Sequence, residues 1–374
     1  MKAFIRHVVT ALTVAVVCQA RVDLAEECLV SDHSKTTSEA DDQNSTATVQ
    51  SSGCVEDSSY AETCSSEAGL GDGLFTASQP CRVWYVDTRF QQMFDSNTSF
   101  QYGNDDREKN LPSGPYTPMS KLAYSLDATW AGLRVGVQKP NWDIHFDGLM
   151  PVGTGINGGM RDYDWNINEP KNDPTRLDSL WNASTRWNEG LKLELEGEFQ
   201  WSDHFFGLPL AFWPLAGFRY QRFDMTAFAG NEIVGDRPGP APNQGDVLTL
   251  NQQYYIGYIG FQLRGVIAHE RRPPITVTFQ ADYGGTGGYN VDYHLFRGFH
   301  EMMSTGGGAL HVALIADAAF NSHFGIGLQA DHMEIRTTGS LLQIGDKGDW
   351  SSTDYGVQAN SDQTSLTAYL RVYW

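Results

Sequence analysis

The chain has 374 residues, of which 41% are hydrophobic, 12% aromatic and 19% charged, and this composition excludes a disordered or collagen-like protein. The net charge of -19 argues against nucleic acid or an anionic lipid surface as the main partner. The first 20 residues carry +2 and residues 21–81 carry -10, so residues 82–374 carry the remaining -11. Beyond its N-terminal end, the sequence lacks an apolar run of the roughly 20 residues that a membrane-spanning helix needs. A soluble protein and a transmembrane β-barrel both stay open, because alternating barrel strands keep the hydropathy low.

The N-terminal end resembles a secretory signal peptide spanning residues 1–20. Lys2 and Arg6 precede an apolar stretch over residues 8–17, and Cys18-Gln19-Ala20 approximates a cleavage site. A short buried helix is the alternative interpretation. The sequence therefore predicts export, with Cys18 removed together with the signal peptide.

Residues 21–81 are rich in Ser, Thr, Asp and Glu and contain few large apolar side chains. Such a segment cannot bury enough surface to fold alone, so we expect an acidic, loosely ordered extension. Disulfides persist in exported chains, and two of them can form here in any of three pairings, unless the thiols are incidental. The cysteines concerned are Cys28, Cys54, Cys64 and Cys81.

From residue 82 onward, apolar and polar residues alternate with a period of two. The segment 191–201 places Leu, Phe and Trp, with one Gly, at odd positions and Lys, Glu and Gln at even positions, which is typical of a strand with one apolar face. The same pattern recurs along the chain and predicts ten strands. Their approximate ranges are 82–88, 121–137, 142–156, 187–201, 209–227, 251–267, 274–290, 309–320, 322–339 and 355–374.

The links between these strands alternate between long and short. The predicted long links are 89–120, 157–186, 228–250, 291–308 and 340–354. Outer-membrane barrels show this alternation, together with an even number of antiparallel strands, because short turns face the periplasm and long loops face outward. We therefore predict an all-β, ten-stranded antiparallel transmembrane β-barrel with long extracellular loops over residues 82–374. A soluble lipocalin-like barrel is the alternative, but its outer face would be polar.

Aromatic residues near the predicted strand ends favour the membrane interpretation, because they suit the girdles of an outer-membrane barrel. Chain-terminal Trp374 also resembles the closing aromatic residue of many such barrels. The predicted girdle residues are Trp142, Trp187, Trp201, Phe212, Trp213, Tyr254, Tyr255, Tyr373 and Trp374.

Two short polar motifs lie where strands enter long loops. Asp162-Tyr163-Asp164 follows the third strand and Asp292-Tyr293-His294 follows the seventh. Residues i and i+2 of an extended chain share a face, so the two members of each pair lie on one face. Asp292 and His294 would face the lumen if the alternation continues past the glycines at 284–288. A third such motif, Asp143-Ile144-His145, lies at the opposite end, where we expect a lumen-lining polar pair without chemistry.

These residue types suit hydrolysis. His294, oriented by Asp292, can act as the general base on a water molecule, while Asp162 and Asp164 hold its other side and share a proton. One water can touch both pairs only if the barrel is flattened, because a round ten-stranded barrel leaves about 10 Å between facing side chains. Ordinary lumen polarity is the first alternative. A metal site with His294 as its only nitrogen ligand is the second.

At these residues the chain resembles the omptins, a family of ten-stranded outer-membrane proteases of Gram-negative bacteria. The segment Gly158-Gly159-Met160-Arg161-Asp162-Tyr163-Asp164-Trp165 is similar to the family's Gly-Gly-x-x-x-Asp-x-Asp-Trp, one residue shorter, and Asp292-Tyr293-His294 matches its Asp-x-His. The resemblance implies that Asp162, Asp164, Asp292 and His294 are catalytic and activate a water for peptide cleavage at an extracellular groove.

The chain departs from the family at the pocket that selects basic residues. One of the pocket acids falls on Asn290 and the other falls near Cys81 and Arg82, so a preference for Arg or Lys does not carry over. The resemblance also implies lipopolysaccharide, which family members bind on the outer wall, as a requirement for activity. Arg222 fits one lipid-binding position, whereas Gln253 stands where a second Arg is expected.

The sequence thus predicts a monomeric endopeptidase of the bacterial outer membrane whose active site faces outward. Its expected partners are a peptide or protein substrate and outer-membrane lipid, with no nucleic acid and no metal cofactor. The alternative function is a non-catalytic barrel that serves as a small pore or an adhesive surface.

Overall fold

The computed structural model describes residues 83–103, 119–153, 156–165, 177–234, 245–269, 272–295 and 297–374. The predicted signal peptide, the acidic extension with its four cysteines, and residues 104–118, 166–176 and 235–244 of the first three predicted long loops lie outside the described residues. None of the described residues forms a helix that is long and apolar enough to cross a membrane.

The alternating segments form thirteen antiparallel strand segments that build ten barrel strands, as predicted. The first three barrel strands are each interrupted near the middle, so β1 with β2, β4 with β3, and β5 with β6 are the two halves of one barrel strand. The segments are β1 (Val83–Met93), β2 (Asn97–Tyr102), β3 (Ser120–Ser125), β4 (Thr129–Lys139), β5 (Trp142–Pro151), β6 (Ile156–Trp165), β7 (Leu177–Phe199), β8 (Ala211–Val234), β9 (Asp246–His269), β10 (Arg272–His294), β11 (Phe299–Ala319), β12 (Phe324–Gly345) and β13 (Trp350–Tyr373).

The sheet closes on itself in both halves of the barrel. Near the short turns, β1 pairs with β4 and β13, and β5 pairs with β7. Near the long loops, β2 pairs with β3 and β13, and β6 pairs with β3 and β7. In both halves β7 to β13 follow one another in order, so each cross-section is a ring of ten strands.

Several strands are longer than the sequence pattern predicts. The predicted loops 291–308 and 340–354 are mainly strand, because β10 continues to His294, β11 begins at Phe299, β12 continues to Gly345 and β13 begins at Trp350. Polar residues on both faces weaken the period-two pattern there, which is expected where a barrel projects into water. The site residues therefore lie on paired strands at the rim.

The outer face carries a belt of exposed apolar side chains, as the membrane interpretation requires. Phe90, Leu133, Leu195, Ile259 and Leu328 are all more than half exposed on this face. A soluble barrel would present polar residues here, so the lipocalin-like alternative is wrong.

Aromatic residues flank this belt, but part of the predicted girdle is misplaced. Trp201, Tyr255 and Trp374 are exposed, whereas Trp187, Trp213 and Tyr254 are buried inside the barrel. A register shift between Trp187 and Glu189 inverts the alternation of β7, and this turns Trp187 inward.

The inside of the barrel is layered. Near the short turns it holds ion pairs: Arg371 binds Asp87 through two hydrogen bonds of 2.7 and 2.8 Å, and Arg219 binds Asp282 and Glu194. Above them lies an apolar layer in which the rings of Trp130, Trp187 and Phe223 pack edge to face at 5.4 to 6.2 Å. The lumen is thus filled with side chains below the rim.

The barrel is flattened, as the sequence argument required. Thr98 on β2 donates a 2.5 Å hydrogen bond to Gln252 on β9, although these strands are five positions apart in a ring of ten and therefore opposite. Gln363 on β13 likewise donates to Gln221 on β8 across the lumen at 2.8 Å. Opposite walls therefore approach within side-chain reach.

Candidate active site

The two polar motifs project into the barrel at the end with the long loops. Asp162 and Asp164 lie on β6 in the third barrel strand, and Asp292 and His294 lie on β10 in the seventh. The pairing of β10 with both neighbours runs in register from Ile275 to His294, so the alternation persists through the glycines. The prediction that Asp292 and His294 face the lumen is therefore confirmed.

The Asp292–His294 pair is buried at the rim. Nε2 of His294 lies 3.1 Å from Oδ2 of Asp292, and the imidazole stacks on Phe299, the residue paired with it on β11, at 4.2 Å between ring centroids. The two atoms are close without the alignment that a hydrogen bond needs, and neither has a hydrogen-bond partner among the described residues. Such groups cost free energy in a folded protein unless a ligand or water completes them.

The Asp pair forms the second half of the site. Asp162 is buried, and its Oδ1 has no hydrogen-bond partner in the described part of the chain. Burial raises the pKa of Asp162 well above its usual range, and the neighbouring Asp164 raises it further. Burial also raises the pKa of Asp164, against a lowering hydrogen bond from Ser120. Both carboxyl groups therefore hold a proton to higher pH than an exposed aspartate does.

The two pairs act on each other electrostatically across the rim. The charge of Asp292 contributes to the raised pKa of Asp162, and Asp164 acts on His294. Burial is nevertheless the main influence on His294 and lowers its pKa to about 4, so the imidazole is neutral at physiological pH. Burial likewise raises the pKa of Asp292, while Arg297 in the β10–β11 connection lowers it. The structure thus brings the four predicted residues into one electrostatic unit.

Glu301 belongs to this site although the sequence argument missed it. It is paired with Asp292 across β10 and β11, is almost fully buried, and places Oε2 4.0 Å from Nε2 of His294. Burial, followed by the charge of Asp292, raises its pKa to about 7. Glu301 was overlooked because the sequence analysis placed it in a predicted loop, 291–308. Extending the period-two pattern back from His311 would have placed it on the inward face of a strand.

Asn290 lies one inward position below Asp292 and is 1% exposed. Both its side-chain nitrogen and its side-chain oxygen are without a hydrogen-bond partner within the described ranges. It is paired with Gln252 on β9 and Met303 on β11, so the layer beneath the site is neutral at this point. The assignment of Asn290 to substrate binding stays a prediction.

Arg222, the predicted lipid contact, lies on β8, where Nη2 is 3.1 Å from Glu189 and 3.3 Å from Asp224. Its guanidinium therefore already faces two carboxylates, which lowers its attraction for a lipid phosphate. Lipid binding at Arg222 stays a prediction.

A metal ion is the remaining chemical option for these residues. Asp292, His294 and Glu301 each offer a ligand atom, and these atoms lie within 4.8 Å of one another. One nitrogen and two carboxylates suit several divalent ions, so the donor set alone does not choose between a metal and a proton relay.

Fold and site together define a class: a ten-stranded, outer-membrane-type β-barrel with a carboxylate and imidazole cluster at one rim. No family model matches the chain, and no curated protein matches it in sequence. Among solved structures, the outer membrane protease OmpT of Escherichia coli gives a TM-score of 0.61 over 78% of this chain and 97% of that chain, at 14% identity.

Two other outer-membrane barrels resemble the chain much less. The translocator domain of the autotransporter NalP from Neisseria meningitidis gives a TM-score of 0.31 at 10% identity, over 76% of this chain and 87% of that chain. The toluene transporter TodX of P. putida gives 0.23 at 7% identity, over 78% and 89%. The likeness to the protease, at a TM-score of 0.61, shows an omptin-like fold.

Proposed function

We propose that this protein is an outer-membrane endopeptidase in which His294 activates a water molecule for attack on a peptide bond. The observation that carries the proposal is the buried imidazole of His294 beside the carboxyl group of Asp292 on one wall of a flattened barrel, within the electrostatic field of the Asp162–Asp164 pair. General bases need this combination of a neutral nitrogen and an orienting acid.

The two ring nitrogens of His294 would have different roles. Nε2 lies 3.1 Å from Oδ2 of Asp292, which would favour the proton on Nε2 and leave Nδ1 to accept a proton from water. Attack by this water forms the bond to the carbonyl carbon while its proton passes to His294. His294 then donates that proton to the leaving amine as the carbon–nitrogen bond breaks.

Asp162 and Asp164 would serve the opposite side of the reacting centre. A proton retained by the pair would provide a hydrogen-bond donor for the carbonyl oxygen as negative charge develops there, and the remaining carboxylate oxygens could position the water. One member must ionise less readily than the other for this purpose, and the greater burial of Asp162 satisfies that condition.

The filled lumen favours a surface enzyme over the alternative of a small pore. The apolar layer around Trp130, Trp187 and Phe223 lies between the rim and the ionic layer. A substrate would therefore reach the site from the end with the long loops. With the apolar belt inserted in the outer membrane, this end faces outward, and lipopolysaccharide surrounds it.

The test is cleavage of a mixed peptide library by the purified full-length protein in detergent with lipopolysaccharide. We expect His294→Ala and Asp162→Ala to abolish cleavage, whereas His300→Ala should retain it. His300 is the matched control because it stacks on Tyr293 at 4.0 Å, directly beside the site residues. Heat-modifiable migration on a gel verifies that each variant is folded. Cleavage by both site variants at the parent rate would refute the proposal.

A further inference from the structure

Glu301 is the strongest unassigned group near the site. Two carboxylates face the same nitrogen of His294: Oδ2 of Asp292 at 3.1 Å and Oε2 of Glu301 at 4.0 Å. They come from paired positions on neighbouring strands, so the sheet itself holds them side by side. This arrangement differs from a simple Asp–His dyad.

A chain of side chains across three strands holds Glu301 in place. Nε2 of Gln343 on β12 donates a 2.5 Å hydrogen bond to Oε1 of Glu301, and Ser351 on β13 donates to Oε1 of Gln343 at 3.1 Å. Glu301 pairs with Gln343, and Gln343 with Ser351, in the strand register. One oxygen of Glu301 is therefore fixed, and the other points toward His294.

We propose that Glu301 is a positioning residue for the hydrolytic reaction: its carboxylate lies beside Nε2 of His294 and, together with Asp292, stabilises the imidazolium that forms during catalysis. The inference rests on the proposed function and deepens it. It implies that two carboxyl groups stabilise the protonated form of His294: Asp292 on the same strand and Glu301 on the neighbouring strand.

The charges around His294 explain why a second carboxylate beside it would assist catalysis. Asp164 favours the imidazolium from β6, whereas burial and Arg297 oppose it. A buried cation needs close partners, and Asp292 approaches Nε2 without hydrogen-bond alignment. Glu301 supplies the further negative charge, so the proton can be taken from water without leaving an uncompensated imidazolium.

The test compares Glu301→Gln with the parent enzyme on one cleavable peptide from the library. Gln keeps the shape and still accepts the hydrogen bond from Gln343, but it removes the charge. We expect kcat to fall about 10- to 100-fold with little change in KM, as for other groups that orient a functional histidine. The pH profile should change as well: kcat of the parent should rise as Glu301 ionises around pH 7, and this rise should be absent from Glu301→Gln.

Two further variants make the result specific. Glu301→Asp keeps the charge and should recover part of kcat, and Glu334→Gln, on the neighbouring strand β12, should leave kcat unchanged. Parent-like kcat and pH profile in Glu301→Gln, with His294→Ala still inactive, would overturn this inference alone. Activity in both His294→Ala and Asp162→Ala would instead overturn the proposed function.

Discussion

Replacing Glu301 by Gln should stabilise the fold while it weakens catalysis. Burial raises the pKa of this carboxyl from 4.5 to about 7, and each pKa unit corresponds to about 1.4 kcal/mol. The ionised group therefore costs the folded state about 3 kcal/mol at pH values above 7. Below pH 4.5 the carboxyl is protonated in both the folded and the unfolded chain, so the cost vanishes there.

The free energy of unfolding can be measured by urea titration at several pH values, with tryptophan fluorescence and gel migration as readouts. The advantage of Glu301→Gln over the parent should be near zero at pH 4, grow between pH 4.5 and 7, and level off near 3 kcal/mol above pH 7. Glu189→Gln is the control, because Glu189 is an exposed acid whose removal should change stability by less than about 1 kcal/mol. Equal stability of Glu301→Gln and the parent at pH 8.5 would refute the reasoning.

Four other outcomes follow from the same structure. His294, whose pKa burial lowers to about 4, contributes stability that is complete above pH 6.5 and lost as the pH falls through 4, so His294→Asn should flatten acid unfolding in a urea titration. Asp162→Asn should reduce peptide cleavage at least about 100-fold yet raise the urea midpoint at pH 8, and a lower midpoint would contradict the raised pKa of Asp162. The parent should give no conductance steps in a planar bilayer, because Trp130 and Phe223 pack in the lumen. Cleavage should survive chelation, whereas loss with recovery on adding one divalent ion would establish the metal alternative at Asp292 and Glu301.

The sequence was sufficient to predict the architecture because a barrel strand repeats one rule, apolar outside and polar inside, over its whole length. It therefore predicted the ten strands, the inward direction of His294, and which two barrel strands carry the motifs, although it placed the motifs in the loops after those strands. It failed where local pairing overrides the rule. Trp187 was placed on the wrong face because a register shift is invisible in a single sequence. Glu301 was missed because strands that project into water lose the contrast between their faces.

The flattening of the barrel could not be predicted from the sequence, although the proposed chemistry requires it. It depends on contacts between residues far apart in the chain, such as Thr98 with Gln252. The hydrophobic pattern and the motif spacing describe a strand and its neighbours. The cross-section of the barrel depends instead on contacts between side chains from opposite walls. The same contacts narrow the lumen beneath the site.

The two Asp-x-His motifs of this chain show what distinguishes a structural pair from a reactive one. At the short-turn end, Asp143 accepts hydrogen bonds of 3.0 Å from Tyr85 and from His145, so its Oδ1 is fully engaged. At the rim, both oxygens of Asp292 are without hydrogen-bond partners among the residues that the structure describes. The first pair stabilises the folded barrel, and the second is maintained at a cost in stability. Such a cost is tolerated where a substrate and a water molecule complete the hydrogen bonds. For this reason the Asp292–His294 motif, rather than the Asp143–His145 motif, is the site of the proposed chemistry.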